Sequence, residues 1–215
     1  VMMLFDDSLP RVNGKVRLLH AIPDGPNVDV YFNGKLIYSN LAFGTITEYI
    51  SIPADKYKVQ LYKAGTKSRP LITEPSEVQP NGVYTIAVTY ENGEISFFVL
   101  DDTHNITNPL LSSVRFINLS PDSPLLSLRL PENVVLFDEV SYLETNEYYP
   151  ISPGIYNFLV VSDDGSFAKY ISNIRLRKAQ FITIYIIGLF NKRPQIGSVL
   201  VQDDTMNNTR LILNA

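Results

Sequence analysis

Three residues that carry oxygen ligands lie close together in a proline-rich segment near the start of the chain, at Asp24, Asn27 and Asp29. Carboxylate and amide oxygens are the ligands that Ca²⁺ takes in proteins, so these side chains could face one cation. An aspartate before Gly-Pro is also ordinary turn chemistry, because its side chain hydrogen-bonds to the nearby backbone. The segment therefore predicts either a calcium site or a turn held by its own side chains.

A second candidate site combines aromatic and acidic residues in the other half of the chain. Tyr148 and Tyr149 are the most loop-like pair among the 13 tyrosines, and Asp122 lies in a Pro-Asp-x-Pro segment like the one at Pro23–Pro26. Aromatic rings stack on sugars, although tyrosines in strands are usually packing residues and the chain has no tryptophan. These residues support a hypothesis in which the Pro-Asp-x-Pro loops bind a glycan or a cation.

The histidines and the paired aspartates point to structural roles. His20 lies on the apolar face of a predicted strand, which favours a core-edge histidine hydrogen-bonded to the following loop over a ligand or a base. His104 follows an Asp pair and is predicted to be a solvated linker residue. The Asp pairs at 6–7, 101–102 and 203–204 recur at predicted domain edges, where we expect them to keep exposed strand ends soluble.

Composition and motifs exclude several classes of function. The chain has no Ser-His-Asp order, no phosphate-binding glycine loop and no His-Glu-x-x-His motif. With no cysteine it forms no disulfide, thiolate metal site or cysteine nucleophile. Its net charge of −4 provides no positive field for a phosphate backbone. We expect a protein that is not an enzyme, has calcium as its one candidate cofactor, and does not bind nucleic acid.

The longest apolar run, Phe181–Phe190, is too short to cross a membrane, because a spanning helix needs about 20 residues. Its β-branched and aromatic residues favour a strand buried on both faces. The first residues lack the basic start of a secretory signal, so an exported form would carry its signal upstream of residue 1.

An internal repeat organises the chain. Residues 16–26 and 114–124 share Val-Arg and Pro-Asp-x-Pro in register, and Asp101-Asp102-Thr103 recurs as Asp203-Asp204-Thr205. We expect the two halves to fold independently, because the segment between them is short and polar. The predicted divisions are an N-terminal tail at 1–13, a first domain at 14–103, a linker at 104–111, a second domain at 112–205 and a C-terminal tail at 206–215.

The residue pattern of both halves predicts short β-strands. Apolar and polar residues alternate with a period of two, as in Tyr57–Tyr62, and no window of helical length shows a helical period. Seven or eight strands in about 90 residues are typical of a β-sandwich. Turn dipeptides that supply positive φ fall between the strands at hairpin spacing, namely Asn33-Gly34, Asn81-Gly82, Asn92-Gly93 and Asp164-Gly165.

Prolines precede strand-opening tyrosines in both halves, at Pro53 before Tyr57 and at Pro153 before Tyr156. This spacing fits a tyrosine corner, in which the ring packs at a sheet edge and the hydroxyl bonds back to the upstream backbone. We therefore expect both hydroxyls to hold main-chain carbonyls.

The first repeat resembles the bacterial domain-of-unknown-function family 4397. The resemblance rests on VRLLHAIPDGP at 16–26, VDVY at 28–31, Asn33-Gly34 and LAFG at 41–44. In the second repeat Asn118 stands where the family has His, and Ser127 stands where it has Asp. The resemblance implies an all-β chain of two tandem immunoglobulin-like or transthyretin-like antiparallel β-sandwiches, and it implies no activity.

The same resemblance implies a protein of a bacterial surface, secreted fraction or spore. We therefore expect a non-catalytic structural or interaction protein whose partner is a protein or a cell-surface polymer. The alternative is a glycan- or cation-binding module. Residues 210–215 resemble the first strand of each repeat, so we expect this tail to pair with an exposed edge of its own domain or of a second molecule.

Overall fold

The computed structural model describes residues 12–203, which form sixteen strands and one short 3-10 turn at Pro131–Asn133. The first eight strands are β1 (Asn13–His20), β2 (Val28–Phe32), β3 (Lys35–Leu41), β4 (Ile50–Pro53), β5 (Asp55–Lys63), β6 (Ile72–Val78), β7 (Val83–Glu91) and β8 (Glu94–Asp101). The second eight are β9 (Ser112–Asn118), β10 (Leu126–Leu130), β11 (Val134–Val140), β12 (Tyr149–Ile151), β13 (Gly154–Ser162), β14 (Ala168–Leu176), β15 (Phe181–Ile187) and β16 (Gly197–Gln202). The tail at 206–215 and the Asp pair at 6–7 lie outside the described residues.

The two sets of strands build two sandwiches with the same topology. The sheets have the orders β4-β1-β7-β8 and β3-β2-β5-β6 in the first sandwich, and β12-β9-β15-β16 and β11-β10-β13-β14 in the second. The pairs β1–β7 and β9–β15 are parallel, and the other strand pairs are antiparallel. The predicted all-β fold is confirmed. Each sandwich has eight strands in two four-stranded sheets.

Each sandwich closes its own core between its two sheets. Apolar side chains that point into the core alternate along each strand with side chains that point the other way. The core of the first sandwich contains Val16, Leu18, Val28, Val30, Phe32, Leu41, Val59, Leu61, Ile86 and Val88. The core of the second contains Val114, Phe116, Leu126, Leu128, Phe158, Val160, Ile182, Ile184 and Ile186.

A third apolar cluster joins the sandwiches. It combines Leu19 and Leu100 of the first sandwich with Ile117, Leu119 and Tyr185 of the second, all of them buried. These side chains alternate with the core residues on the same strands, so the β1 and β9 sheets pack against each other through their outer faces. The chain is therefore a stack of four sheets, in which the two inner sheets are buried on both sides.

The double burial explains the apolar run at the end of the sequence. Each residue of β15, from Phe181 to Ile187, is buried, because one face of the strand meets its own core and the other meets the first sandwich. The prediction of a strand buried on both faces is confirmed. The shared cluster counts against independent folding, which stays untested, because a separated sandwich would expose it.

The turns and corners follow the predicted chemistry with one exception. Asn33-Gly34 and Asn92-Gly93 have positive φ at both residues and connect hairpin strands. Asn81-Gly82 instead links strands of different sheets, so it is not a hairpin turn. Both tyrosine corners are confirmed, since the hydroxyls of Tyr57 and Tyr156 donate to the carbonyl oxygens of Pro53 and Ser152 at 2.7 Å.

Candidate functional site

Two buried arginines mark the centre of the interface between the sandwiches. Arg17 on β1 and Arg115 on β9 are 2% and 3% exposed, and each points away from its own core. Arg17 donates to the carboxylate of Asp203, and Arg115 donates to the carboxylate of Asp102. Both ion pairs therefore cross from one sandwich to the other, in a reciprocal arrangement.

A threonine beside each arginine completes the hydrogen bonding. Nε of Arg17 donates to Oγ1 of Thr85 at 2.7 Å, and Nε of Arg115 donates to Oγ1 of Thr183 at 3.0 Å. The Thr183 hydroxyl donates in turn to Asp203 at 2.6 Å, and the Thr85 hydroxyl donates to Asp102. Each threonine thus links its arginine to the aspartate of its own sandwich, and the ion pairs become one network.

Aromatic rings cover the two guanidinium groups. The Cζ atom of Arg17 lies 4.4 Å from the centroid of the Tyr49 ring, and that of Arg115 lies 4.5 Å from the centroid of Tyr148. Each contact is a cation–π interaction shielded from water. The Tyr49 hydroxyl also donates to Asp102 at 2.8 Å, and Tyr185 accepts from Nη2 of Arg17 at 3.2 Å.

Burial and neighbouring charges shift the pKa values of the arginines and tyrosines in the network. Burial, together with the charge of Asp102, raises the pKa of Tyr185 to about 12 and that of Tyr49 well above its usual value. Burial alone would lower the pKa of Arg17, but Tyr185 and Asp203 shift it upward on balance. The arginines stay charged and the tyrosines stay neutral at physiological pH.

The structure corrects the predicted roles of His104, Asp102 and Asp203. Asp102 and Asp203 are 0% and 1% exposed, so they are interface residues and do not keep strand ends soluble; Asp101 is the exposed member of its pair. His104 stacks on Phe181 with ring centroids 3.7 Å apart, and its Nδ1 lies 2.6 Å from the Asp102 carbonyl oxygen. It is a packed residue, not a solvated one. Val-Arg and Asp-Asp-Thr recur in both repeats, but this recurrence aligns Asp102 with Asp204 and not with Asp203, its counterpart in the interface.

A comparison with protein families assigns the chain to one of them. Residues 14–129, more than half of its length, match a family described as a domain of unknown function, DUF4397. The chain belongs to the DUF4397 family. The match begins at the second residue of β1, covers the rest of the first sandwich and ends within β10 of the second. No curated protein matches the chain.

The histidine of the DUF4397 motif holds the loop that follows β1. His20 is fully buried, its Nε2 donates to the carbonyl oxygen of Pro26 at 3.0 Å, and its Nδ1 accepts from the Ile22 amide at 3.2 Å. The predicted core-edge histidine is confirmed. In the second sandwich Oδ1 of Asn118 accepts from the Ser120 amide at 3.0 Å, so an amide takes over the acceptor role of the imidazole.

The three candidate cation ligands, Asp24, Asn27 and Asp29, have different surroundings, and the carboxylate of Asp29 is occupied by backbone amides. The two carboxylate oxygens of Asp29 accept from the amides of Asn40 at 2.8 Å and Gly65 at 2.9 Å. The amide of Asn27 donates to Oδ1 of Asn40 at 2.9 Å, and Asp24 lies exposed in the turn with a φ of 60°. Within residues 12–203 no group of three or more His, Cys, Asp or Glu side chains is arranged to hold a metal ion.

The candidate sugar-binding residues do not form one site. Tyr148 packs against both His104 and Phe181 and lies over Arg115, whereas Tyr149 is 42% exposed on β12. Asp122 accepts from the Phe190 amide at 2.7 Å. Phe181 begins β15 and Phe190 follows its end, so Asp122 and Tyr148 lie at opposite ends of that strand.

A groove lies elsewhere on the junction of the two sandwiches. It has a volume of about 480 Å³, and its lining comes from the β7–β8 hairpin and from the second sandwich: Tyr90, Asn92, Gly93, Pro121 and Tyr142. The Tyr142 hydroxyl donates to the carbonyl oxygen of Tyr90 at 2.6 Å, which fixes the two walls relative to each other. Pro121 connects the groove to the Pro-Asp-x-Pro loop that the sequence singled out. No helix in the described part of the chain is long and apolar enough to cross a membrane.

We expect the stability of the chain to fall as the pH drops below the ordinary histidine value of 6.5. Burial lowers the pKa of His20 and of His104. The unfolded chain takes up protons near pH 6.5 that the folded chain resists, so stability is fully present above that pH and is lost below it. Melting temperatures at pH 7.5 and 5.5 measure the effect. A double variant, His20→Asn and His104→Gln, should show a smaller difference, and an unchanged difference would contradict this assignment.

Replacing Asp29 with alanine should lower the free energy of unfolding by about 1–3 kcal/mol, because the amides of Asn40 and Gly65 lose their acceptor. The loss should be equal in calcium and in a chelator if the carboxylate serves the backbone. Chemical denaturation in both buffers measures it, with exposed Asp24→Ala as the control. If calcium raises the melting temperature of the wild type and Asp24→Ala abolishes the rise, these residues bind a cation and the prediction is wrong.

Proposed function

We propose that this DUF4397 chain is a non-catalytic structural or interaction protein of a bacterial surface, secreted fraction or spore. The observation that carries the proposal is the buried reciprocal network of Arg17, Arg115, Asp102 and Asp203, which fastens two sandwiches into one body. A fixed spacing between the outer surfaces of two domains is what a scaffold or an adaptor requires. The partner is a protein or a cell-surface polymer.

In this proposal the second sandwich is a second copy of the DUF4397 domain. It has the same strand order as the first, with a parallel pair at the same place. The interface residues also correspond, since Arg115, Thr183 and Asp203 take the positions of Arg17, Thr85 and Asp102 relative to the strands. A duplicated binding domain presents two related outer surfaces at a fixed separation.

The residue types most suited to catalysis are used to hold the fold. His20 and Asp29 bind backbone groups of their own loops, and the interface aspartates accept from arginine and threonine. Each of these groups has a defined partner in the fold. This use of the polar side chains supports a non-catalytic role.

The cellular location is tested with an antibody against the full chain, applied to intact and permeabilised cells of the producing bacterium and to its spores if it forms them. The proposal expects labelling of intact cells or spores, or recovery of the chain from the medium. Labelling that appears only after permeabilisation, in the cell interior, would contradict it. A panel of chromogenic glycosides, esters and peptides incubated with the full chain should show no turnover above that of buffer without protein.

A second candidate function is binding of a neutral glycan, and the groove at the junction favours it. The lining of two tyrosines, a proline, a glycine and Asn92 is uncharged and combines aromatic rings with an amide. Rings supply stacking surface and an amide can both donate to and accept from sugar hydroxyls, which suits an uncharged sugar. The groove takes residues from both sandwiches, so its shape depends on the network that joins them.

A glycan array probed with the labelled full chain tests this second function. Tyr90→Ser should remove any signal, because it removes a ring from the groove. Tyr170→Ser is the matched control, because Tyr170 is 64% exposed and lies outside the groove. Equal signals from both variants, or none from the wild type, would exclude the groove as a glycan site.

A further inference from the structure

We infer that the inner faces of the two sandwiches, which pack on each other within one chain, can also pack on the matching inner faces of a second copy of this chain. In such an exchanged dimer the first sandwich of each chain packs on the second sandwich of the other. The inference concerns the inner faces of the molecule and does not depend on the proposed function.

The first argument is the duplication of the interface chemistry. Each sandwich contributes one buried arginine, one threonine bonded to it and one buried aspartate. Each arginine pairs with the aspartate of the other sandwich, as Arg17 does with Asp203 and Arg115 with Asp102. This reciprocity, in which one patch meets a related copy of itself, is the contact pattern of a two-fold dimer interface.

The second argument is that separating the two sandwiches is energetically unfavourable. Opening would bring Leu19, Ile117 and Tyr185 into water, although each is fully buried in the closed chain. It would also leave Arg17 and Arg115 without their main carboxylate partners. The opened state is therefore strongly disfavoured. A matching face, on either the same chain or a neighbouring one, would bury these side chains again and pair the arginines.

The third argument is that exchange breaks no sheet. The strand pairings found within residues 12–203 all lie inside one sandwich or the other. The covalent connection between the sandwiches is the segment from His104 to Leu111, in which residues 105–110 are exposed. Moving a whole sandwich to another chain therefore requires a change only in this segment and in the contacts of the interface.

Effective concentration decides which partner is used. A short linker holds the two faces of one chain at a concentration on the order of 1 mM, so the closed monomer prevails at micromolar concentrations. Exchange is therefore expected when chains fold together at high concentration, where a neighbouring face competes with the face on the same chain.

Complementation between two full-length variants tests the inference. Asp203→Ala removes the main ion-pair partner of Arg17, and Arg17→Ala removes the main ion-pair partner of Asp203. Within either variant, alone or exchanged with itself, each interface holds one buried charge that has lost this partner. In a mixed exchanged dimer, one interface joins Arg17 of the first variant to Asp203 of the second, and the other interface lacks both groups, so neither interface holds a charge without its partner.

The variants carry different affinity tags, are unfolded in denaturant, mixed, and refolded at millimolar concentration. The expected result is a species of twice the chain mass that carries both tags, in greater yield than from either variant refolded with itself. Equal yields from mixed and unmixed samples would overturn the inference. Differently tagged wild-type chains refolded together provide a second readout that does not depend on whether the variants fold, and failure to recover a two-tag dimer from them would also overturn it.

Discussion

Replacing Asp102 with alanine is expected to lower the free energy of unfolding by about 3–5 kcal/mol, since a buried charge would lose its partner. The Asp102 carboxylate accepts hydrogen bonds from Arg115, Thr85 and Tyr49, and one of its oxygens lies 3.6 Å from Nη2 of Arg17. Its removal leaves Arg115 charged in a site that is 3% exposed. Urea denaturation followed by circular dichroism measures the loss.

The neighbouring aspartate provides a matched control. Asp101 is exposed, and its carboxylate accepts one bond, from the Thr103 amide at 2.8 Å. Asp101→Ala removes the same charge from the protein one residue away and should cost no more than about 1 kcal/mol. If the two variants lose stability to a similar extent, the network around Asp102 does not hold the sandwiches together.

Replacing Ile184 with aspartate is expected to prevent folding of the chain at ordinary temperature. Ile184 is fully buried in the second core, on a strand whose seven residues are all buried. The change would place a carboxylate without a partner between two sheets, at a cost of several kcal/mol. That is a large fraction of the total stability of a typical protein, about 5–15 kcal/mol.

Ile155→Asp is the control for this prediction. Ile155 is an isoleucine in a strand of the same sandwich, but it is 63% exposed and lies opposite Arg175. The variant should melt close to the wild type, because the new carboxylate stays in water beside a positive charge. A soluble Ile184→Asp chain that melts as the Ile155→Asp chain does would show that β15 is not central to the fold.

The alternation of apolar residues and the turn dipeptides were enough to predict the sandwiches. Both signals are local, because side-chain direction repeats every two residues and positive φ is a property of Asn and Gly themselves. The tyrosine corners at Tyr57 and Tyr156 were predictable for the same reason, since each hydroxyl reaches a carbonyl four residues upstream.

The interface was not predictable from the same local signals. An Asp pair at the end of a strand looks the same whether water or another domain covers it, and the partner of Asp203, Arg17, is 186 residues away. Recurrence of the arginine and the aspartate in both repeats was visible, but no residue pattern indicated that the repeats face each other. The long-range packing that gives these residues their role is a property of the folded chain.

In the second repeat a different residue type makes the same side chain-to-backbone hydrogen bond. Asp29 and Ser127 occupy matching positions on β2 and β10, and each accepts from the amide of a positive-φ residue on the next strand, at Asn40 and Glu139. A motif residue can therefore change type when its task is to hold the backbone. This explains why the motif polar groups need not form a ligand site.

The account rests on the claim that the two sandwiches unfold as one unit, and differential scanning calorimetry of the full chain tests this most directly. The account predicts a single heat-absorption peak with a calorimetric enthalpy equal to the van't Hoff enthalpy. Two separate peaks, or a calorimetric enthalpy close to twice the van't Hoff value, would show that the sandwiches unfold independently and would contradict it.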